Sequence, residues 1–281
     1  MSLFTKLEAT NSQGSLLTLQ LGDISSGINI QDITGLDPVK ATITSSSFAN
    51  QDGAVYQSSR RDTRNIVITL ELDPDPTVTN VLALRRYVYS QFVPKDYISL
   101  KFYVDDTDDA SEDGYLIYGY VESCGAPMFV QDNIVTISVI NVDPDFIDPV
   151  AKSITGITTA DVTATDIPYA GTVPAGFVAT ISVNASESSL TMYYTDPGGN
   201  TWTMDFAYAL LAGDVLTIST VPGNKYATLV RAGVTSSVLY GVSPQSVWPQ
   251  FAPGDNKLQF HAADGASMPV SVAYTTKFGA L

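Results

Sequence analysis

Side chains able to do chemistry are few in this chain, and their spacing does not build a reaction centre. The single histidine, His261, stands beside Leu258 and Phe260 in an alternating stretch. A Ser-His-Asp triad would have to use it, yet no Gly-x-Ser-x-Gly elbow occurs to present the serine. One histidine and one cysteine, Cys124, cannot supply the nitrogen and sulfur donors of a transition-metal site. Cys124 has no partner for a disulfide, and next to Gly125 and Pro127 it reads as a small packed residue. The run Asp109-Ala110-Ser111-Glu112-Asp113-Gly114 begins like a calcium loop, but Tyr120 stands where the bidentate glutamate belongs. An acidic hairpin tip over Asp105–Gly114 is the better reading. No Gly-x-x-x-x-Gly-Lys-Ser/Thr or Gly-x-Gly-x-x-Gly sequence cradles a phosphate. Carboxylates are plentiful, but none are spaced as a glycosidase pair. These residues predict a protein that is not an enzyme and needs no cofactor and no metal.

Two sets of residues suit binding instead. Trp202 and Trp248 offer indole faces on which a sugar ring can stack, which would make the chain a carbohydrate-binding module or adhesin contacting surface glycans. The plainer reading is that both pack at a core or rim, Trp248 at a strand corner between Val247 and Pro249. Arg60, Arg61, Arg64, Arg85 and Arg86 are five of the nine basic residues in residues 1–150. They either pair locally with Asp62 and Glu71 or form an intersubunit contact surface, where a guanidinium fork suits a neighbour's carboxylate.

The elements that must hold these residues are mostly strands. Leu17, Leu19 and Leu21 alternate, Lys40–Thr44 resumes a strand after the Gly35–Pro38 break, and Gln51-Asp52-Gly53 signals a turn. Arg60–Leu72 reads as one long strand with Ile66, Ile68, Leu70 and Leu72 on one face. Thr79–Phe92 reads as the one helix, capped by Thr79 and stopped before Pro94, with Val81, Leu84, Val88 and Phe92 as its apolar stripe. Ile98 to Val104, Tyr115–Val121 and Asn133–Val142 return to strand. The proline-bounded segment Asp143–Pro149 predicts a domain boundary, giving domains 1–148 and 149–281. Beyond it, strands are predicted at Phe177–Val183, Leu190–Tyr194, Thr201–Phe206, Asp214–Ser219, Tyr226–Arg231, Leu258–His261 and Val270–Tyr274. That spacing suits an antiparallel sandwich.

Composition sets outer bounds. Apolar residues at 44% and charged residues at 15% are adequate for a core and wrong for disorder. The net charge of −15 is uneven: 21 acidic against 9 basic residues in 1–150, and 8 against 5 in 151–281. Such a surface repels phosphate backbones, so sequence-specific nucleic-acid binding is not expected. No apolar run is long enough for a membrane span. The opening Met-Ser-Leu-Phe-Thr-Lys-Leu-Glu lacks the apolar core of a secretion signal, so synthesis in the cytoplasm is expected.

Several segments in order resemble one family. Ile33-Thr34-Gly35-Leu36-Asp37-Pro38, Asp52–Tyr56, Arg64–Ile68 and the Asp143–Phe146 hinge are similar to the N-terminal belt domain of siphophage distal tail proteins. Leu211–Leu216, Trp248, Pro253-Gly254-Asp255-Asn256 and Val270–Phe278 are similar to the galectin-like or carbohydrate-module-like sandwich of the same family. Residues around Thr155–Gly171 match no part of it. The resemblance implies a mainly β fold: a sandwich-like belt domain with one α-helix, then an antiparallel β-sandwich. It implies a structural virion protein at the distal end of a phage tail. Such proteins form a homo-oligomeric ring, usually a hexamer, between the tail tube protein and the tail hub or tip protein of the baseplate. The lumen passes DNA, and the outer sandwiches hold receptor-binding proteins or touch host glycans.

Overall fold

The computed structural model describes residues 4–23, 25–50, 52–75, 77, 79–104, 114–127 and 133–281. The acidic tip expected at Asp105–Gly114 lies, but for Gly114, outside the described residues. The chain divides into two compact units, Met1–Pro149 with Gly279–Leu281, and Val150–Phe278. The last three residues therefore belong with the first unit and not, as the hinge position suggested, with the second.

The first unit contains β1 (Phe4–Asn11), β2 (Leu16–Gln20), β3 (Ile28–Thr34), β4 (Ala41–Ser46), β5 (Val55–Arg61), β6 (Arg64–Leu72), α1 (Val81–Gln91), β7 (Tyr97–Val104), β8 (Tyr115–Gly125), β9 (Ile134–Asn141) and the short β10 (Phe146–Ile147). Its main sheet runs β2-β1-β7-β8-β9-β6-β3, with β10 against β8. The edge strands β2 and β3 are consecutive in sequence and come into contact, so the sheet is rolled upon itself. Alternation along each strand fills the roll. Leu17 and Leu19, then Ile66, Ile68, Leu70 and Leu72, then Ile98, Leu100 and Phe102, are all buried. Phe102 meets Phe146 edge to face at 5.9 Å. Leu21, expected to share the face of Leu17 and Leu19, is 40% exposed, because the strand ends at Gln20 and the chain turns.

The helix buries Leu84, Val88 and Phe92 as its spacing predicts. It starts later than expected, and the cap is Asn80, whose Oδ1 accepts the amide of Ala83 at 2.9 Å, rather than Thr79. An asparagine cap of this kind contributes about 1 kcal/mol.

The long strand predicted over Arg60–Leu72 is two strands. It breaks at Asp62-Thr63 because its halves pair with different partners: β5 with β4, and β6 with β3 and β9. The β4–β5 pair forms a separate two-stranded sheet. Every residue of β5, and every residue of β4 but Ser46, is exposed.

The second unit is a two-sheet antiparallel sandwich. Its strands are β11 (Lys152–Thr158), β12 (Thr165–Tyr169), β13 (Phe177–Ser182), β14 (Glu187–Thr195), β15 (Thr201–Leu210), β16 (Val215–Ser219), β17 (Tyr226–Arg231), β18 (Val234–Ser237), β19 (Gly254–Ala262) and β20 (Pro269–Tyr274). One sheet runs β11-β20-β13-β16-β17-β18 and the other β12-β19-β14-β15. Between them lies one core, including Phe177, Leu190, Phe206, Leu216, Phe251 and Phe260. Three strands carried no clear alternation in the sequence, and each has a cause. β11 is bulged between Ile154 and Ile157, around Gly156 at φ 88°. β12 contains Pro168, tolerated because β12 is an edge strand. β18 is short and fully exposed. It is set by the Ala232-Gly233 turn, in which both residues have positive φ. In the Pro253-Gly254-Asp255-Asn256 segment, β19 begins at Gly254.

Candidate functional site

One surface, in the second unit, brings together residues that suit binding, while the candidate arginines of the first unit are spread over several elements. In the second unit the β14–β15 hairpin places Trp202 opposite Tyr194. Their rings stack at 5.8 Å with 21° between planes. The hairpin turn is closed by Asp196, whose carboxylate accepts the Asn200 amide at 2.8 Å and the Asn200 side-chain Nδ2 at 3.0 Å. These bonds, the one from the Asn200 side chain foremost, hold the Asp196 carboxyl below the usual carboxylate range.

The segment carrying Trp248 is pinned at both ends. Val247 donates its amide to Thr203 O at 3.2 Å, and Phe251 exchanges backbone hydrogen bonds with Ala175 at 2.8 and 3.0 Å. Asn256 is fully buried behind it. Its Oδ1 accepts from the Tyr194 hydroxyl at 2.8 Å and from the Ala252 amide at 2.9 Å, while its Nδ2 donates to Ala252 O and Gly254 O at 2.8 Å. Burial pushes the Tyr194 phenol up, so it stays protonated and donates.

The outcome is a cleft of about 270 Å³ whose walls include Tyr194, Asp196, Trp202, Trp248, Pro249 and Gln250. Trp202 and Trp248 are both half-buried. Each packs against the sandwich core and also lines the cleft. The Lys225 ammonium lies 5.7 Å from the Trp248 ring centroid. The sequence reading missed Asp196 and Gln250. The Asp196-Pro197-Gly198-Gly199-Asn200 turn was a legible signal for the first, while nothing in the sequence points to the second.

The arginines of the first unit do not form one cluster. Arg60 lies on β5, exposed, with Thr42 as its cross-strand neighbour. Arg61 makes a two-pronged pair with Asp145, at 2.5 and 2.8 Å, and keeps 40% of its side chain exposed. Arg64 corrects the expectation of an intersubunit contact, being 1% exposed. It sits at an inward position of β6 and spends its donors within the unit, on the carbonyls of Pro144 at 2.7 Å, Asp37 at 2.7 Å, Gly35 at 2.5 Å and Gly279 at 2.6 Å. Its guanidinium also covers the Phe146 ring at 4.5 Å. Burial draws its pKa below the ordinary value. On the helix, Arg85 donates to Ala126 O at 2.8 Å and Pro127 O at 3.2 Å, and Arg86 is exposed.

The remaining reactive groups are dispersed. His261 points to solvent beside Thr191 on the neighbouring strand. Cys124 is partly buried, and burial pushes its thiol up to about 11. Asp214 is buried and takes three hydrogen bonds from the Arg231 guanidinium, at 2.6 to 3.1 Å. Among the described residues no group of three or more histidine, cysteine or acidic side chains is placed to hold a metal. Among them too, no helix is long and apolar enough to cross a membrane.

With the geometry of both units described, comparison with known proteins adds a family match and a shared fold. Residues 170–278 match the family model of siphovirus-type tail components, C-terminal domain. That match makes the second unit similar to a structural component of a phage tail. The whole chain shares its fold with the Dit protein of phage SPP1, described as a paradigm of the hub adsorption apparatus in phages infecting Gram-positive hosts. The TM-score is 0.66 at 16% identity, over 97% of this chain and 99% of that one. A chain of the phage P2 baseplate in its calcium-activated conformation aligns over 99% of both chains at 8% identity, with a TM-score of 0.49. The strontium form aligns over 98% of this chain and 99% of that one at 9% identity, with a TM-score of 0.48. No curated protein matches the sequence.

Proposed function

We propose that this protein works as a hexameric ring joining the tail tube protein to the hub or tip protein, with a lumen that passes DNA. The observation that carries the reading is the β4–β5 ribbon. A two-stranded ribbon standing alone in water is at best marginally stable. This one leaves Ile43, Val55 and Tyr56 exposed by 66, 45 and 61%, and Phe48, between the two strands, by 58%. Such apolar surface is suited to burial against another chain.

Charge favours a second copy as that chain. The two strands carry Arg60 and Arg61 and no acidic residue, in a protein of net charge −15. A basic arm meeting an acidic patch elsewhere on a second copy suits a head-to-tail contact, which forms a ring when its rotation closes. Arg60 faces the neighbour directly, and Arg61 does so with the part of its fork not shielded by Asp145. Arg86, exposed on the helix, is a further contact, and Arg85 reaches a neighbour only beside its own bonds to 126 and 127. The second units hold peripheral receptor-binding proteins.

The experiment is a mass measurement of the purified protein in solution, with negative-stain imaging. The expected particle is a ring, and Tyr56→Asp with Ile43→Asp reduces it to folded monomers. A wild-type protein that stays monomeric at high concentration and forms no ring in virions overturns the reading.

A further inference from the structure

We propose that the cleft between Trp202 and Trp248 is a binding site for one neutral pyranose ring at the end of a glycan. Its shape, lining and charge all select that class of ligand. At about 270 Å³ it is just below the usual range of small-molecule pockets, so it takes a single ring and not an extended chain. Two indoles and two prolines, Pro174 and Pro249, give it apolar walls. The electron-rich face of an indole attracts the weakly positive C–H face of a pyranose, and flat aromatic walls lose little entropy on binding.

Hydroxyl recognition comes from the rim. The Asp196 carboxylate, held in place by Asn200 and by the backbone of Gly198 and Gly199, puts acceptor oxygens on the rim. Gln250 adds an amide with both a donor and an acceptor. A carboxylate at the rim, in a chain of net charge −15, disfavours phosphorylated or carboxylated sugars. The cleft is also prepared in advance. Asn256 ties Tyr194 to the backbone at Ala252, so the wall and the floor are already in register.

The site lies wholly within the second unit and does not depend on ring formation, so either proposal can fail without the other. The test uses the full chain labelled with 5-fluorotryptophan, which has two tryptophans and so two fluorine signals. Methyl glucoside, methyl galactoside and N-acetylglucosamine are titrated in turn, with a polyproline peptide as a control. At least one sugar should shift both signals saturably, with a Kd on the order of 1 mM. Asp196→Asn and Gln250→Ala, checked for an unchanged melting midpoint, should each weaken it severalfold. Trp202→Phe, which keeps an aromatic wall, should bind more weakly than the parent but more tightly than Trp202→Ala. Three outcomes overturn the proposal: no sugar of the set moves either signal, both rim variants bind like the parent, or only the polyproline peptide binds.

Discussion

The Arg64 Nη2 donates to the carbonyl oxygen of Gly279 at 2.6 Å, joining positions 215 residues apart within the first unit. The same guanidinium holds the carbonyls of Gly35, Asp37 and Pro144. One buried side chain thus ties together the loop after β3, the hinge and the end of the chain. Arg64→Met keeps much of the volume but leaves those carbonyls without their donor. Loss of buried partners of this kind should cost on the order of 4 kcal/mol. Chemical denaturation of the variant beside Gln13→Ala, an exposed site expected to change stability by less than about 0.5 kcal/mol, checks it.

Gly35 is the neighbour of that network and has little freedom to change. Its φ is +91°, and a Cβ added there would overlap the Asn65 carbonyl oxygen. Gly35→Ala should therefore destabilise the first unit by roughly 2–4 kcal/mol, combining backbone strain with a contact that only main-chain movement relieves. Calorimetry should show the melting of the first unit moving down while the transition of the second stays in place.

The Asp214–Arg231 pair makes the second unit acid-sensitive. Hydrogen bonds from Arg231, and then one from the Leu211 amide, hold the Asp214 carboxyl below its ordinary value. A depressed folded-state pKa contributes stability above the unfolded value, about 3.9, and that stability is lost as pH falls through the folded pKa. Asp214→Asn should lower the melting midpoint at pH 7 and should show a shallower loss than the parent below about pH 4. Parallel pH series of melts read the difference.

Cys124 should be a sluggish nucleophile. With its thiol pushed up to about 11 by burial, little thiolate exists at pH 8. Alkylation by iodoacetamide in the folded protein should run roughly two orders of magnitude slower than for a free thiol with a pKa near 8.5. It should reach the ordinary rate on unfolding. Timed mass spectrometry at pH 8, with and without denaturant, measures both rates.

Much of the fold was legible because the physics behind it is local. Ile66, Ile68, Leu70 and Leu72 alternate because a half-buried strand must, and the Leu84–Val88–Phe92 stripe follows the turn of a helix. The site was legible only in part. Trp202 and Trp248 stand out by residue type, but Gln250 does not, and no local pattern says that a residue will face a cleft. Nor does one separate Arg64 from Arg61. Both follow polar or charged stretches, yet one is buried against carbonyls and the other reaches Asp145 from the surface.

The sequence by itself determined the strand content, the single helix, a second half built of short antiparallel strands and the scarcity of reactive groups. Residue type and spacing suffice for these, since each depends on neighbours within a few positions. Only the tertiary structure decided that Arg60–Leu72 breaks into a free ribbon and a core strand, that Arg64 turns inward, that Gly279–Leu281 returns to the first unit, and that Trp202 and Trp248 share one cleft. Those outcomes rest on pairings between distant segments. Strand register and the need to satisfy buried donors and acceptors select such pairings over the whole chain at once.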